Sequence, residues 1–424
     1  MSGGNSVAER ALDTDSQPTA VNDFRSRFFS GLKAEPGLLH RWITALITDE
    51  MVRQTGTEAA RLGWRKWERE TRLDDAGIGL DSLARLEVVG RLNEVFALSE
   101  TGSEDYIFLA PTLGEWCDLV AHAFERRCDE PDLSLGFRTS GSTGTPRKIR
   151  HPLDALLAEV AAVAPILTPA HRIIAAVPPH HIYGCLFTIL LPALTGAPVI
   201  DARDWVPGRL LSAARSGDLC VATPLIWELT FASAQELEQR SPATALTSSA
   251  PCPPAVWAAG HARVARMIEL YGATDSGGIG WREAATEPFA LLPHLERDAD
   301  GAVRAPSGLP LPLQDHMDWE GPRRFRPAGR LDGAVQVGGI NVFPSRIANR
   351  IASFPGVAEC AVRPGANGRL KAFIVPDTQA NARSLRTELR RFIDDALTAP
   401  ERPKILTFGA ALPRNEMGKL QDWS

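Results

Sequence analysis

The segment from Thr139 to Pro146 constrains this chain more than any other stretch of it. It reads Thr-Ser-Gly-Ser-Thr-Gly-Thr-Pro, so five hydroxyl residues, two glycines and one proline stand in eight positions after a short apolar run. Glycine allows the backbone to turn tightly, and backbone N–H and side-chain O–H groups can donate hydrogen bonds to phosphate oxygens. Because the Gly-Lys-Ser/Thr ending of a Walker loop is missing, the segment predicts a phosphate-binding loop of another type, with an ordinary Ser/Gly-rich turn as the alternative.

The pattern of apolar residues divides the rest of the chain. From Phe28 to Cys128, apolar positions recur at three- and four-residue spacing, which is typical of helices. Beyond the charged linker 125–131, short β-branched runs such as 173–177 and 197–200 alternate with helical windows such as 153–163. This alternation predicts an α/β sheet.

A last unit begins near Arg330. Strands are predicted at 335–337, 361–362 and 372–375, and an amphipathic helix is predicted at 384–397. The chain is therefore expected to be multidomain, with a small all-α bundle, an α/β core and a small α+β C-terminal domain. The expected boundaries are a disordered tail over 1–25, a helical domain over 26–128, the core over 133–329 and the C-terminal domain over 330–424.

Composition disfavours several classes of function. Hydrophobic residues make up 44% of the chain and charged residues 23%, as in soluble globular proteins. A formal net charge of −5 disfavours electrostatic binding to nucleic acid or to an anionic membrane. The six cysteines form no Cys-x-x-Cys pair, and the apolar stretch 185–200 is too short and too interrupted to span a bilayer. With no signal-peptide pattern at the N-terminus, we expect a cytoplasmic protein without membrane insertion.

The glycine-rich loop resembles the phosphate loop of the AMP-forming adenylating superfamily, which includes acyl- and aryl-CoA ligases and the adenylation domains of peptide synthetases. Asp315 lies fourteen residues before Gly329, the spacing at which this family places the aspartate that binds the ribose hydroxyls. Each short match alone has an ordinary explanation, such as a helix cap or a core histidine, but their joint order indicates the family. The other segments similar to family motifs are 178–184, 248–251, 271–275, 329–332 and 413–419.

The resemblance implies ATP and Mg²⁺ as cofactors and a role for each matching residue. Thr274 would contact phosphate, Asp275 would hold magnesium and His181 would lie at the acid-binding pocket. Asp332 would serve as the hinge of a C-terminal domain that rotates between two poses. The residues expected to bind the nucleotide are Thr139, Ser140, Gly141, Ser142, Thr143, Gly144, Ser249, Ala250, Pro251, Tyr271, Gly272, Asp315 and Arg330.

Lys419 is the expected catalytic residue. Joining a carboxylate to ATP brings two anions together and builds charge on the α-phosphate, and a compact ammonium group can neutralise that charge in the transition state. The chain has few lysines, and Lys419 ends a glycine-containing motif near the C-terminus that resembles the catalytic-lysine segment of the family.

The sequence departs from the family pattern in three places. The acidic residue of the magnesium motif is Asp275 rather than glutamate, one methylene shorter. Arg346-Ile-Ala348 stands where family members usually carry Glu-Ile-Glu. The family also usually has well over a hundred adenylation-domain residues before the phosphate loop, so we expect a reduced adenylate-forming core.

The region before the loop contains a second resemblance. Gly79-Leu-Asp-Ser-Leu83 is similar to the Gly-x-Asp-Ser-Leu motif of acyl carrier proteins, which implies that Ser82 carries 4′-phosphopantetheine. The alternatives are a simple helix cap at Asp81-Ser82 and a degenerate carrier fold without the cofactor. The apolar stripe expected on the following helix consists of Leu83, Leu86, Val89, Leu92 and Phe96.

The leading hypothesis for function is an enzyme that activates a carboxylic acid with ATP, releases pyrophosphate and transfers the acyl group to a thiol. An aromatic or hydroxyaromatic acid is favoured. The expected thiol is a phosphopantetheine on Ser82 or on a separate carrier protein, which requires a phosphopantetheinyl transferase as partner. The alternatives are a CoA ligase with a non-functional carrier-like domain and a catalytically inactive carrier or scaffold.

Overall fold

The computed structural model describes residues 17–56, 63–139, 147–233, 241–365, 368–377, 382–414 and 420–423. The N-terminal part is helical, as predicted, and its last long helix begins with a capping box in which Thr112 and Glu115 satisfy each other's backbone N–H groups. Since the first helix begins at Gln17, the predicted disordered tail does not extend to residue 25. The helices are α1 (Gln17–Ala34), α2 (Pro36–Thr55), α3 (Ser82–Phe96), α4 (Glu104–Leu109) and α5 (Leu113–Arg126).

A nine-stranded sheet forms the centre of the described structure. Its order is β4-β3-β5-β6-β7-β8-β9-β13-β12, and the first five of these strands are parallel. The predicted strands near 173–177 and 197–200 correspond to β3 and β4. The strands are β3 (Arg172–Ala175), β4 (Val199–Asp201), β5 (Asp218–Ala222), β6 (Ser241–Thr247), β7 (Val264–Ala273), β8 (Gly277–Arg282), β9 (Phe289–Leu291), β12 (Asp315–Trp319) and β13 (Arg324–Arg330).

A separate hairpin frames the predicted phosphate loop. Strands β1 (Ser134–Arg138) and β2 (Lys148–Pro152) pair antiparallel, with Arg138 opposite Lys148. The predicted helix over 153–163 follows β2 directly as α6 (Leu153–Val163). The further helices and the short strand pair of the core are α7 (Ile182–Cys185), α8 (Leu191–Thr195), α9 (Arg209–Ser212), α10 (Pro224–Ser233), α11 (Pro254–Arg263), β10 (Glu296–Arg297) and β11 (Val303–Arg304).

The N-terminal helices and the sheet share one hydrophobic core. Buried Phe28, Trp42 and Phe96 belong to the same cluster as Leu157 and Ile173. The predicted boundary between 128 and 133 therefore does not separate two cores, because the helices use their apolar faces to cover the sheet.

Close backbone contacts confirm this arrangement. A Cβ on Gly31 in α1 would lie 1.9 Å from the carbonyl oxygen of Ala193 in α8, and a Cβ on Gly136 in β1 would lie 1.9 Å from that of Glu94 in α3. Because glycine has no Cβ, it permits these two close approaches, one between helices and one between a helix and a strand. The backbone of α1 therefore packs directly against that of α8, and the backbone of α3 against that of β1.

The apolar stripe predicted on α3 is partly wrong. Leu83 and Leu86 are exposed, at 66% and 56%. Val89, Leu92 and Phe96 are buried as predicted, together with two further apolar residues that the sequence pattern did not select, Val88 and Val95. The helix packs against β1 and α2 through its C-terminal turns, and its first turn contacts the α4–α5 region through Arg85, so Leu83 and Leu86 lie on the side that faces solvent.

The C-terminal unit has a hydrophobic cluster of its own, formed around Ile351, Ala372, Ile374 and Leu389. The strands predicted at 335–337, 361–362 and 372–375 are present, and so is the predicted helix. Its elements are β14 (Val335–Val337), β15 (Ile340–Val342), α12 (Pro344–Ala352), β16 (Val357–Pro364), β17 (Leu370–Pro376), α13 (Ala382–Ala396) and β18 (Ile405–Phe408). None of the helices in the described ranges is both long enough and apolar enough to cross a bilayer.

Candidate active site

The parallel strands end at one edge of the sheet, which is where α/β proteins bind their ligands. The segments that follow β3, β6 and β7 contain three of the predicted sites, namely His181, Ser249–Pro251 and Thr274–Asp275. The hairpin β1–β2 reaches the same edge. The fold thus gathers motifs that are separated by more than a hundred residues in the chain.

The two ends of the predicted phosphate loop are held together. The backbone N–H of Thr139 donates to the carbonyl oxygen of Arg147 at 2.9 Å, and the N–H of Arg147 donates to the Thr139 hydroxyl at 3.2 Å. The predicted phosphate contacts Ser140, Gly141, Ser142, Thr143 and Gly144 lie outside the described residues, as does Lys419. The chain on either side of Lys419 is closed by an antiparallel bridge between Arg414 and Leu420.

The turn after β7 is bound to the end of the hairpin. Arg147 Nη2 lies 2.9 Å from Asp275 Oδ1, and His151 Nε2 lies 2.7 Å from the carbonyl oxygen of Thr274. A carbonyl oxygen can only accept, so Nε2 of His151 carries the proton. Burial lowers the pKa of His151 below its ordinary value. A neutral histidine and an arginine thus fix the two residues expected to meet phosphate and magnesium.

A buried carboxyl group also forms a hydrogen bond close to the turn after β7. Glu159 of α6 accepts a hydrogen bond from the N–H of Gly278 at 3.0 Å, and a Cβ on Gly277 or Gly278 would come within 2.6 Å of its oxygens. Burial raises the pKa of Glu159 to about 7. The sequence analysis missed this residue, although the Gly277-Gly278 pair beside Asp275 was a signal of close approach by another group.

Tyr271 and Asp315 are brought together across the sheet. The Tyr271 hydroxyl donates a hydrogen bond to Asp315 Oδ2, and its ring packs against Phe289 and Phe325 with centroids 5.3 and 5.5 Å away. Burial, and after it the hydrogen bond to Asp315, raises the pKa of Tyr271. Asp315 also pairs with Arg330 in the register of β12 and β13. These three predicted nucleotide residues therefore form one group.

The predicted hinge is an ion pair between close neighbours in the chain. Arg330 donates to both carboxylate oxygens of Asp332, at 2.8 and 2.7 Å. These bonds lower the pKa of Asp332 to about 2. The flanking Gly329 and Gly333 have φ values of 109° and 70°, a region that favours glycine. The peptide at this point can therefore adopt conformations that other residues avoid.

The predicted adenine segment lies against the C-terminal unit. Ser249 has a φ of 80°, which is uncommon for a residue with a side chain and marks a constrained turn. Ser248 anchors the turn by donating to the carbonyl oxygen of Leu270 at 2.9 Å. A Cβ on Gly339 would lie 3.7 Å from Cβ of Ala250, so the β14–β15 hairpin contacts the segment that also includes Pro251.

His181 occupies the position before α7, where its side chain makes no capping hydrogen bond, and it is exposed, whereas the preceding His180 is buried. Their rings are in contact at a tilt of 51°, with centroids 4.4 Å apart, and His180 Nε2 lies 3.6 Å from Asp49 Oδ1 on α2. Burial lowers the pKa of His180 well below its ordinary value, so this ring is neutral. Asp49 and His180 were not singled out by sequence motifs, since their pairing joins two distant elements.

The described residues provide one carboxylate that fits a magnesium ion at the loop. No cluster of three or more His, Cys, Asp or Glu side chains suited to a metal occurs within the described ranges. Mg²⁺ is usually held by one or two carboxylates together with substrate phosphates. Asp275, which is paired with Arg147 directly after the phosphate loop, can supply one such carboxylate.

Ser82 is exposed at the first position of α3, where the Asp81 carboxylate caps the helix by accepting from the N–H of Ala84 at 2.8 Å. The other end of α3 is fixed to the hairpin. Glu94 accepts hydrogen bonds from Arg138 Nε at 2.7 Å and from Lys148 Nζ at 2.5 Å. Glu94 therefore joins α3 to both strands beside the phosphate loop, a link that no sequence motif indicated.

Comparisons with known proteins agree with this arrangement. The sequence model of the family described as AMP-binding enzyme matches residues 73–344, and that of the AMP-binding enzyme C-terminal domain matches residues 346–419. A 4-coumarate–CoA ligase from Rhodobacter capsulatus is 41% identical over 399 residues, covering 91% of this chain and the whole of that protein. A 4-coumarate–CoA ligase from Halorhodospira halophila is 38% identical over 404 residues, covering 92% of this chain and the whole of that protein.

The fold also resembles solved structures. The o-succinylbenzoate CoA synthetase of Bacillus subtilis superposes with a TM-score of 0.51 at 18% identity, over 69% of each chain. At this level of identity the likeness concerns the fold alone.

Proposed function

The chain belongs to the AMP-binding enzyme family and is an AMP-forming acid–thiol ligase, and we propose that it joins a hydroxyaromatic acid such as 4-coumarate to CoA. The carboxylate attacks the α-phosphate of ATP and releases pyrophosphate, which gives an acyl-AMP. The CoA thiol then attacks the acyl carbon and AMP leaves, which gives the thioester.

The observation that carries this proposal is the similarity to two proteins named 4-coumarate–CoA ligase along nearly the whole chain. Both alignments include most of the helical region before the phosphate loop as well as the core. The two relatives therefore share the reduced length and the domain order of this chain. Their names favour an aromatic acid as substrate and free CoA as acceptor.

The motif residues supply the groups that the proposed reaction requires. Asp315 accepts the ribose hydroxyls, Thr274 contacts phosphate, and the loop that starts at Thr139 binds the triphosphate. Mg²⁺ held at Asp275 would neutralise charge on the triphosphate oxygens. Lys419 stabilises the charge that develops on the α-phosphate and the attacking carboxylate.

His181 and the hinge complete the proposal. His181 lies at the acid-binding pocket, where its exposed ring can contact the carboxylate before reaction. Asp332 and its glycine neighbours permit the C-terminal unit to change pose between the two half-reactions. The Gly338–Gly339 turn then faces the incoming thiol.

A second candidate is transfer to a phosphopantetheine on Ser82. Its support is the exposure of Ser82 at the N-terminus of α3, where a phosphate group is electrostatically favoured. Two observations disfavour this candidate. Helix α3 is packed into the shared core and is bonded to the loop hairpin through Glu94. The match to the AMP-binding enzyme family begins at residue 73, before Ser82. A helix integrated in this way leaves only the arm itself free to reach the active site.

Thioester formation from ATP, Mg²⁺, CoA and a panel of acids tests the proposal. The panel should contain 4-coumarate, cinnamate, benzoate and octanoate, and Lys419→Ala serves as the inactive control. We expect 4-coumarate to give the highest kcat/KM, and Lys419→Ala to lower kcat by about 10² to 10³-fold. A higher kcat/KM with octanoate, or unchanged turnover in the variant, would contradict the proposal.

The carrier candidate is tested separately by intact-protein mass after incubation with a phosphopantetheinyl transferase and CoA. Ser82→Ala is the matched variant. A mass gain on the wild type that is absent from Ser82→Ala would favour loading in cis. No gain on the wild type leaves CoA as the acceptor.

A further inference from the structure

Strand β17 has two faces, and only one of them packs against the helices of the C-terminal unit. Ala372 and Ile374 belong to the hydrophobic cluster that α12 and α13 complete. Because successive side chains of a strand alternate between its faces, Lys371, Phe373 and Val375 lie on the other face. These three residues are nonetheless buried, at 9% exposure or less. A part of the chain other than the two helices therefore covers this second face.

The segment 420–423, which we call the strap, covers it. Trp423 is 8% exposed and belongs to a small cluster with Ala361, Phe373 and Val375. Its ring meets that of Phe373 edge-on, with centroids 5.7 Å apart. Since buried aromatic side chains dominate the energetics of such clusters, the strap is a packed part of the C-terminal unit.

Polar contacts fix the strap to the same face. Lys371 Nζ donates to the carbonyl oxygen of Trp423 and lies 2.8 Å from Asp422 Oδ1. Arg363 Nη2, on the neighbouring strand β16, donates to the carbonyl oxygen of Leu420 at 2.8 Å. A buried ammonium group is strongly unfavourable unless it is paired, so the oxygens of the strap are also what allows Lys371 to be buried in the middle of a strand.

The strap begins at the residue directly after Lys419. The N–H of Gln421 donates to the carbonyl oxygen of Pro413 at 2.7 Å, beside the antiparallel bridge between Arg414 and Leu420. The two ends of the segment that carries Lys419 are therefore held together, and the strap joins them to β16 and β17. A misplacement of about 1 Å can cost a catalytic group about 10²-fold in rate, so this attachment bears on catalysis.

We propose that Lys371 and Trp423 are positioning residues that hold Lys419 in place for adenylate formation. They act through the backbone of the strap, and neither belongs to a sequence motif. The proposal rests on the role of Lys419 proposed above, which is to stabilise charge while the carboxylate attacks the α-phosphate. The two residues should therefore matter for this half-reaction and not for the attack of the CoA thiol on finished acyl-AMP.

Two variants remove the anchors of the strap. Trp423→Ala removes the buried ring, and Lys371→Met removes the ammonium group while keeping an unbranched apolar stem. Trp423→Phe is the conservative variant. Phe392→Ala is the matched control, since it removes an aromatic ring that packs with Phe354 at 5.0 Å against the opposite face of the same sheet.

The two half-reactions are measured separately, below the melting temperature of every variant. Pyrophosphate exchange reports adenylate formation, and thioester formation from synthetic acyl-AMP and CoA reports the second step. We expect Trp423→Ala and Lys371→Met to lower the kcat of exchange by about ten- to hundredfold and to change the KM for ATP by less than about twofold. Thioester formation from acyl-AMP should keep its rate, and Trp423→Phe should restore most of the exchange. Phe392→Ala should lower the melting temperature without this selective loss.

Three results would overturn the positioning role, namely unchanged exchange in both anchor variants, equal losses in the two half-reactions, or the same selective loss in Phe392→Ala. Lys419→Ala separates these results from a failure of the proposed function. Slow exchange in Lys419→Ala together with fully active anchor variants would reject the role of the strap alone. Unchanged exchange in Lys419→Ala would reject the role of Lys419 and this proposal with it.

Discussion

Arg147 Nη2 and Asp275 Oδ1 are 2.9 Å apart, although 128 residues separate them in the chain. The arginine ends the predicted phosphate loop, and the aspartate is the carboxylate that we propose for Mg²⁺. The Arg147 side chain is 65% exposed, whereas that of Asp275 is 16% exposed. The guanidinium therefore covers the carboxylate from the solvent side, and a metal ion must compete with it.

Arg147→Gln should lower the Mg²⁺ concentration needed for half-maximal pyrophosphate exchange. Removing the guanidinium leaves Asp275 free, so we expect a fall of several-fold and up to about tenfold, which corresponds to about 1.4 kcal/mol. The melting temperature should hardly change, because exposed ion pairs contribute about 0 to 1 kcal/mol. Arg326→Gln, which breaks a similar exposed pair with Glu320, is the control. An unchanged Mg²⁺ requirement would show that Arg147 does not compete for Asp275.

Glu94→Gln should raise the KM for ATP more than the KM for the acid. Burial alone would raise the pKa of Glu94, but Lys148 and Arg138 lower it below its ordinary value, so the residue is an anion that holds both strands of the loop hairpin. Losing bonds to charged groups costs about 1.5 to 3 kcal/mol each, part of which should appear as a lower melting temperature.

The matched control for Glu94 lies on the same helix. Glu87 is more exposed and pairs with Arg53 rather than with the hairpin. Glu87→Gln should leave the KM for ATP unchanged within about twofold, since pairs of this type contribute little. Equal effects of the two variants on both KM values would mean that Glu94 does not position the loop.

Asp315→Ala and Tyr271→Phe separate ribose binding from packing. Both variants lose the same hydrogen bond, but only the first loses the carboxylate that we propose for the ribose hydroxyls. We expect Asp315→Ala to raise the KM for ATP by about tenfold, as for one lost charged contact, and Tyr271→Phe to change it by less than about threefold. Steady-state kinetics with ATP varied provides the measurement. The reverse ranking would assign the effect to the tyrosine.

The buried Glu159 should make the stability of the protein depend on pH. Its pKa is about 7 in the folded state against an ordinary value of 4.5, so between these values the folded state binds more protons than the unfolded state. The free energy of unfolding therefore falls as the pH rises from about 4.5 to 7 and is level above that. Glu159→Gln should remove this part of the slope.

Thermal unfolding of the wild type and of Glu159→Gln at pH 5 and pH 8 checks this expectation. The stability of the wild type relative to the variant should decline by about 1 to 3 kcal/mol between the two conditions. Parallel behaviour of the two proteins would show that the carboxyl group titrates near its ordinary value. Glu228→Gln, a glutamate on α10, provides the control for the substitution itself.

Local patterns in the sequence were sufficient for much of the fold. The helix over 153–163 and the strands at 335–337 and 372–375 were predicted because apolar periodicity reflects one buried face, whatever covers it. The turn at Thr274–Asp275 was selected by its resemblance to a family motif, and the phosphate loop by its own composition. Their glycines and hydroxyl residues act within a few positions of each other.

Tertiary structure alone decided which groups meet. Helix α3 has apolar residues on more than one side, and whether Leu83 or Val88 is buried depends on β1 and α2, which are far away in the chain. The same holds for the boundary near 128, because a helical pattern does not show whether its apolar face covers another helix or a sheet.

The charged groups of the site were the least predictable from sequence. Glu94 and Glu159 belong to no motif, and the role of each depends on partners that the tertiary structure brings near, Arg138 and Lys148 for the first and Gly278 for the second. An isolated charge on a helix is usually solvated, and only a partner or the removal of water changes its pKa and its role. The sequence thus determined the family, the local elements and the motif residues, whereas three-dimensional packing determined the electrostatic environment in which they act.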